Sequence, residues 1–268
     1  MELISDMGWF FYGSAFIFGL VVGSFLNVVI WRWPREESII TPGSYCPKCQ
    51  KLIAWYDNLP ILSFILLKGR CRYCQGKISW RYPMLELMSG LLSLLALWSF
   101  GLGKWFFIYY AFFSALFVAS VIDLEHRLIP DEISIGGAVI GLGLGFLPGN
   151  KIAIFDALLG GLAGFLVLFL VGEIYQLITK KEGMGMGDAK LLGMIGVFLG
   201  WRSLPGIIFI ASALGAIIGL GLIIINKKDR FYKIPFGPFL SFSAIFWMVV
   251  WEKNIKLPIG ILGKILGI

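Results

Sequence analysis

Apolar residues gather into eight runs along the chain, near 9–31, 84–100, 104–122, 133–148, 152–178, 190–201, 204–225 and 235–251, separated by polar stretches. A helix needs about 20 such residues to cross a bilayer. The pattern therefore predicts an all-α polytopic membrane protein with about eight transmembrane helices. The 190–201 run is short for a crossing and has to extend into its flanks or cross only in part. Gly137/Gly141/Gly145, Gly160/Gly164 and Gly215/Gly219 recur at the spacing that lets helices approach closely in lipid. One interruption differs from the rest: residues 32–83 are polar and turn-rich, with Pro34, Pro42-Gly43, Asn58, Gly69 and Gly76. The chain is thus expected to divide into 1–103, the first two spans with that loop, and 104–268, the remaining spans. The tail 255–268 is apolar but too short to cross, and is expected at the outer interface.

Composition agrees with this reading: charged residues are 15% of the chain, where soluble domains carry about 25%. The net charge of +7 invites a nucleic-acid partner, but its placement points to topology. With the N-terminus outside, the segments Arg32 to Arg81, Arg127, Lys180 to Lys190 and Lys227 to Lys233 hold most of the 23 basic residues. Only Lys104, Lys151, Arg202, Lys253, Lys256 and Lys264 remain outside. This is the positive-inside bias, and it accounts for the charge with membrane lipid as partner and no nucleic acid. Run 9–31 follows Glu2 and Asp6 and precedes Arg32 and Arg35. A secretory signal has the reverse flanks, so a retained first span is expected.

All four cysteines lie in the 32–83 loop, as Cys46-Pro-Lys-Cys49 and Cys71-Arg-Tyr-Cys74. Two such knuckles match the tetrahedral thiolate demand of structural zinc, although their separation slightly exceeds the usual range. Disulfides are the alternative, and a loop facing a reducing cytoplasm disfavours them. With no further ligand candidate nearby, the zinc would be structural, stapling a loop too small for its own core.

Two aspartates carry the candidate chemistry. Asp188 stands in Gly185-Met186-Gly187-Asp188-Ala189-Lys190 and Asp123 ends the 104–122 run. Ionisable residues at such places are functional candidates because unpaired burial is costly. Other hydrolytic machinery is missing: the single histidine, His126, falls in a short polar loop, with no H-E-x-x-H and no G-x-S-x-G. Two carboxylates sharing a proton suffice for aspartic hydrolysis, one drawing a proton from water while the other polarises the scissile carbonyl. The glycines before Asp188 permit positive φ and close backbone approach, which suits an extended substrate strand. A plain helix junction with Asp188 as N-cap is the alternative. Gly185, Gly187, Lys190 and Glu125 are the expected substrate contacts. Pro130, Asp131 and Glu132 fit the first turn of the next helix. With Glu125 and Glu182, those acids would also give the mouth an acidic patch that attracts a basic peptide.

These residues resemble the type IV prepilin leader peptidase family, membrane aspartic proteases of the GxGD type. The likeness runs through Gly23-Ser24-Phe25-Leu26-Asn27, the two cysteine knuckles, Tyr56-Asp57-Asn58-Leu59-Pro60 and Ser79-Trp80-Arg81-Tyr82-Pro83 with Glu86. It continues through Asp123 in D-x5-I-P-D and Asp188 in G-x-G-D-x-K. The resemblance implies an enzyme of the bacterial cytoplasmic (inner) membrane, with its active site facing the cytoplasm. Such enzymes cleave prepilins or pseudopilins after a glycine that ends a basic leader, with Asp123 and Asp188 as the catalytic pair. Many relatives also methylate the new N-terminus with S-adenosylmethionine. That activity would fall to the N-terminal part, where Asn27, Asp57, Asn58, Arg81 and Glu86 are candidates to hold the cofactor. Arg81 and Glu86 would serve equally as an interfacial ion pair.

Three other readings compete. A presenilin-like protease would pair its aspartates through a Tyr-Asp inside a span and a Pro-Ala-Leu string; Tyr56-Asp57 lies in the loop and no Pro-Ala-Leu occurs. A proton-coupled transporter would use paired carboxylates near the midplane within inverted repeats. An inactive assembly protein would have no use for both aspartates.

Overall fold

The computed structural model describes residues 2–180, 185–226 and 234–253. These contain the helices α1 (Glu2–Arg32), α2 (Leu62–Leu66), α3 (Arg81–Phe100), α4 (Lys104–His126), α5 (Asp131–Leu144), α6 (Ile154–Thr179), α7 (Met186–Leu199), α8 (Leu204–Asn226) and α9 (Gly237–Glu252). Among the described residues there is no strand beyond two isolated bridges, Tyr45 with Leu52 and Arg70 with Lys77. The tail 255–268 lies outside the described residues.

Every apolar run is helical, but among the described residues fewer than eight helices have the length of a full crossing. Among the described residues five helices, α1, α3, α4, α6 and α8, are long and apolar enough to cross a membrane. Helices α5 and α7 have 14 residues and α9 has 16, short of the roughly 20 that a full crossing needs. The reason is local: Gly200, at φ 76, stops α7, and a turn through Phe146 stops α5 before the apolar run ends.

The chain forms two compact units, 1–114 and 115–268, divided inside α4. In the first, α1 packs on α3 through small residues. A Cβ on Gly19 would lie 2.6 Å from Ser93 Cβ, and one on Gly23 would lie 2.8 Å from Glu86 Cα. The serines that fill this seam do not leave their hydroxyls unpaired. Ser93 Oγ donates to the Ala15 carbonyl at 2.7 Å, and Ser89 Oγ pairs with Tyr110 Oη at 2.8 Å. Such bonds remove the desolvation penalty that a buried hydroxyl otherwise carries.

In the second unit α7 is the hub. Ala189 and the stretch Leu191 to Val197 are buried, so the helix is apolar on all sides because other helices cover it. Helix α6 approaches it through Gly160, where a Cβ would run into the Gly196 carbonyl, and α5 through Gly137 and Gly141, which face Met194 and Phe198. The first two glycine series therefore serve helix packing as expected. Gly215 and Gly219 are less tightly enclosed; a Cβ at either would meet the side chains of Phe239 and Ile234, at 3.6 Å and 3.3 Å.

Candidate active site and metal centre

In the second unit, the start of α9 meets a carboxylate at the end of α4. Helix α4 runs one turn past its apolar stretch, so Asp123 and His126 are both helical. Arg127 then stops the helix at φ 56, its N–H donating to the Asp123 carbonyl at 2.9 Å. His126, expected in a loop, instead sits on the last turn with Nε2 4.0 Å from Glu125. Asp123 is 6% exposed, and its Oδ2 accepts the N–H of Gly237 at 3.0 Å. Gly237 opens α9, so this donor is one of the terminal N–H groups a helix cannot satisfy internally, at the end where the dipole favours an anion. A Cβ on Gly237 would lie 2.7 Å from Asp123 Oδ2 and 3.1 Å from Ile129 Cδ1, so only glycine fits.

Asp188 comes from the start of α7. Gly185 is the N-cap, and Asp188 falls in the first turn with its N–H on the Gly185 carbonyl at 3.1 Å. Asp188 is thus not the cap. Neither nearby glycine uses positive φ, as Gly185 has φ −74 and Gly187 is helical. What Gly187 provides is close approach: a Cβ there would lie 3.2 Å from Ile129 Cβ. Ile129 therefore touches both Gly187 and Gly237, and the helix starts that carry them converge on it. Gly187 precedes Asp188 and Gly237 holds Asp123, so their shared packing on Ile129 brings the two aspartate-bearing helix ends to one place. Lys190 is occupied, with Nζ 2.7 Å and 2.8 Å from the two carboxylate oxygens of Asp131. This pair ties the start of α7 to the start of α5 and gives Asp131 a role beyond the helix dipole. Glu125 and Glu132 are exposed, and Glu182 lies outside the described residues.

In the first unit the four cysteines form a single cluster. Their sulfurs lie within 4.8 Å of one another, none is in a disulfide, and Cys46 Sγ is 3.8 Å from Cys74 Sγ. Sulfurs bound tetrahedrally to one zinc at about 2.3 Å would be about 3.8 Å apart, so the site fits that ion. The knuckles are two copies of one turn. Gln50 N–H donates to the Cys46 carbonyl and Cys46 N–H to Lys51; likewise Gln75 N–H donates to Cys71, and Cys71 N–H to Gly76. Gln50 and Gln75 both take the left-handed conformation, and the bridges Tyr45–Leu52 and Arg70–Lys77 occupy matching positions. Burial pushes the Cys46 thiol up, but the N–H groups of Cys49 and Lys48, together with the Cys71 and Cys49 thiols, outweigh it and bring it down to about 7. Backbone donors thus stabilise the thiolate that a metal requires.

Of the five expected cofactor residues, one lines a cavity and the others stand in hydrogen bonds or ion pairs around the start of α3 and the loop. Asn58 lines a cavity of about 370 Å³ with Ser24, Phe25, Arg32, Ile40 and Pro42. The Arg32 guanidinium is already bound to the carbonyls of Ser38, Pro42 and Gly43. Asn27 Nδ2 donates to the Tyr82 carbonyl at 3.2 Å, and Glu86 accepts the Ile61 N–H at 2.8 Å. Arg81 is half-buried at the start of α3. Asp57 is held by Arg72 through two bonds of 2.6 Å and 2.7 Å, which keep its carboxyl below the usual range. Ser24 and Arg32 escaped the sequence reading as cavity residues; both lie on the apolar helix α1, where nothing in the sequence marks the loop folding back.

The chain resembles known proteins over most of its length. Residues 17–100 match a family model described as the bacterial peptidase A24 N-terminal domain, and 110–220 match the type IV leader peptidase family. A prepilin leader peptidase/N-methyltransferase of Aeromonas salmonicida is 36% identical, covering 95% of this chain and 96% of its own. The enzyme of that name from Legionella pneumophila is 37% identical over 96% and 98%. An Escherichia coli protein named type 4 prepilin-like proteins leader peptide-processing enzyme is 38% identical over 85% and 89%. No solved structure matches. Likeness of this extent, across both units and both motif sets, makes this membrane protein a member of the type IV leader peptidase family.

Proposed function

We propose that this chain removes the basic leader from type IV prepilins or pseudopilins, cutting after glycine at the cytoplasmic face of the bacterial inner membrane, and methylates the amine so exposed. The names of relatives aligned along nearly the whole chain support this. The observation that carries it is the convergence on Ile129 of Gly187, beside Asp188, and Gly237, whose N–H binds Asp123. The pair holds one shared proton. The ionised member takes a proton from water, whose oxygen attacks the scissile carbonyl carbon, while the protonated member donates to the carbonyl oxygen. Collapse breaks the C–N bond as the dyad returns the proton taken from water to the departing nitrogen, leaving a carboxylate on the leader and an amine on the mature chain. The two titrate together, so acid and base are not divided between them. Both carboxylates lie at helix ends, which removes the motive for a midplane transport site. Gly185, Gly187 and Glu125 border the dyad and form the substrate side of this proposal, joined by Lys190 through Asp131.

Gly237 positions Asp123, which leads to a prediction. Gly237→Ala pushes against the carboxylate, and displacements of about 1 Å cost about 100-fold in rate. The variant is expected to bind substrate with KM nearly unchanged while kcat falls about 10- to 100-fold, read from initial cleavage rates. An unchanged kcat would remove Gly237 from the site.

Methyl transfer is assigned to the 1–103 part and peptide cleavage to 104–268. The 370 Å³ cavity falls in the usual range for small-molecule sites, and its mixed apolar and polar lining fits S-adenosylmethionine. Asn58 and Ser24 would hold it, with Asn27, Asp57, Arg81 and Glu86 completing the proposed set. The cofactor supplies an electrophilic methyl group. Structural zinc on Cys46, Cys49, Cys71 and Cys74 would hold the loop that lines the cavity. The test is mass spectrometry of a model prepilin incubated with detergent-purified protein and S-adenosylmethionine. Loss of the leader plus one methyl group is expected. Cleavage without the methyl would end the assignment of the N-terminal part, and no cleavage by folded protein would end the proposal as a whole.

A further inference from the structure

A second cavity in the first unit, of about 660 Å³, is lined by Phe64, Ile65, Lys68, Gly69, Arg70, Lys77, Ile78 and Trp80. Three of these are cations, and among the described residues none of the three is ion-paired. The apolar part of the wall is ordered: the Phe64 ring packs on Trp80 at 4.7 Å, and Gly69 lies against Phe64, where a Cβ would be 3.1 Å from Cζ. Around the mouth, Leu62, Ile65, Leu66 and Trp80 are exposed. Unpaired cations beside exposed apolar side chains suit a ligand that is anionic at one end and greasy at the other.

The chain itself sets the depth of this cavity. Trp80 immediately precedes Arg81, where the membrane-crossing helix α3 begins. Residues 78–80, which contribute two of the lining side chains, therefore lie at the headgroup level, where Trp is favoured. We propose that this cavity binds the headgroup of an anionic phospholipid. Its phosphate meets Lys68, Arg70 and Lys77, and its acyl chains run along Leu62, Ile65, Leu66 and Trp80. The site would hold the cysteine loop on the membrane surface; it does not depend on the reaction proposed above.

Native mass spectrometry of the full-length protein, titrated with phosphatidylglycerol or phosphatidylcholine of the same chain length, tests this. A basic residue at a membrane surface favours anionic lipid by about fivefold, so three give a preference of about a hundredfold. That preference should fall with added salt. Lys68→Gln, Arg70→Gln and Lys77→Gln are each expected to lose about fivefold, and their combination nearly all of it. The charge-keeping set Lys68→Arg, Arg70→Lys and Lys77→Arg should retain it, which separates loss of charge from loss of fold. Equal binding of the two lipids, or a preference undiminished in the Gln variants, would overturn the proposal. Displacement of phosphatidylglycerol by inorganic phosphate at equal concentration would overturn it too, by assigning the site to a free anion.

Discussion

Asp123→Asn and Asp188→Asn each give a folded, membrane-inserted protein that cuts a model prepilin about 10²- to 10⁴-fold more slowly, the usual range for losing an acid–base group. Asparagine is the right replacement because it keeps the shape. At position 123 its amide oxygen still accepts the Gly237 N–H, so the start of α9 stays in place and only the ability to hold or give up the proton is lost. At position 188 the same change keeps the side-chain shape in the first turn of α7, where the Asp188 N–H is bound by the Gly185 carbonyl. Loss of activity without loss of stability is therefore the expected signature. The double variant should be no worse than the poorer single one, because groups that act as a unit lose their function together. Cleavage would be followed by mass spectrometry and folding by thermal melting in detergent. Cleavage at the full rate by either single variant would take that aspartate out of the chemistry. If methyl transfer belongs to the N-terminal part, Asp123→Asn should still methylate a pre-cut peptide.

The helices were legible because each apolar run is uniform, but the lengths of the crossings were not. Composition does not register that Gly200 closes α7 or that the chain turns at Phe146, since both depend on backbone angles. The two aspartates stood out as charges beside apolar stretches. Their closest supporter did not: Gly237 contributes a backbone N–H, which every residue but proline has. The available signal was a glycine followed by proline at the start of an apolar run, marking a helix N-terminus. Lys190 was read as a substrate contact because its charge lies near Asp188; the structure gives it Asp131, far away in sequence. The doubling of the cysteine turn, in contrast, was open to view. Gln50 follows Cys49 as Gln75 follows Cys74, and each takes the left-handed position that closes its knuckle.

That doubling makes loss of a single thiolate costly. Cys46→Ser leaves three sulfurs, and the hydroxyl is a poor zinc ligand because it stays protonated where a thiol does not. Apart from the metal, little holds residues 36–80 together. They are held by two isolated bridges, a five-residue helix, the short turn at Trp55–Asn58, the Asp57–Arg72 pair, the Arg32 and Glu86 bonds to loop backbone and the Phe64–Trp80 contact, while Ile40, Leu52, Trp55, Leu62, Ile65, Leu66 and Trp80 are exposed rather than packed into a core. Binding of structural zinc is worth about 10–16 kcal/mol in small domains, more than any of these contacts can replace. The expected result is metal content falling from about one ion per chain to near zero after dialysis. Cleavage of the loop by added protease should rise by an order of magnitude or more, while the helices persist. Acid should act in the same direction. Metal binding requires deprotonated thiols, so protons compete with the ion and metal content should fall as pH is lowered. Elemental analysis showing equal zinc in Cys46→Ser and the parent, with unchanged proteolysis, would mean the cysteines hold the loop by packing alone.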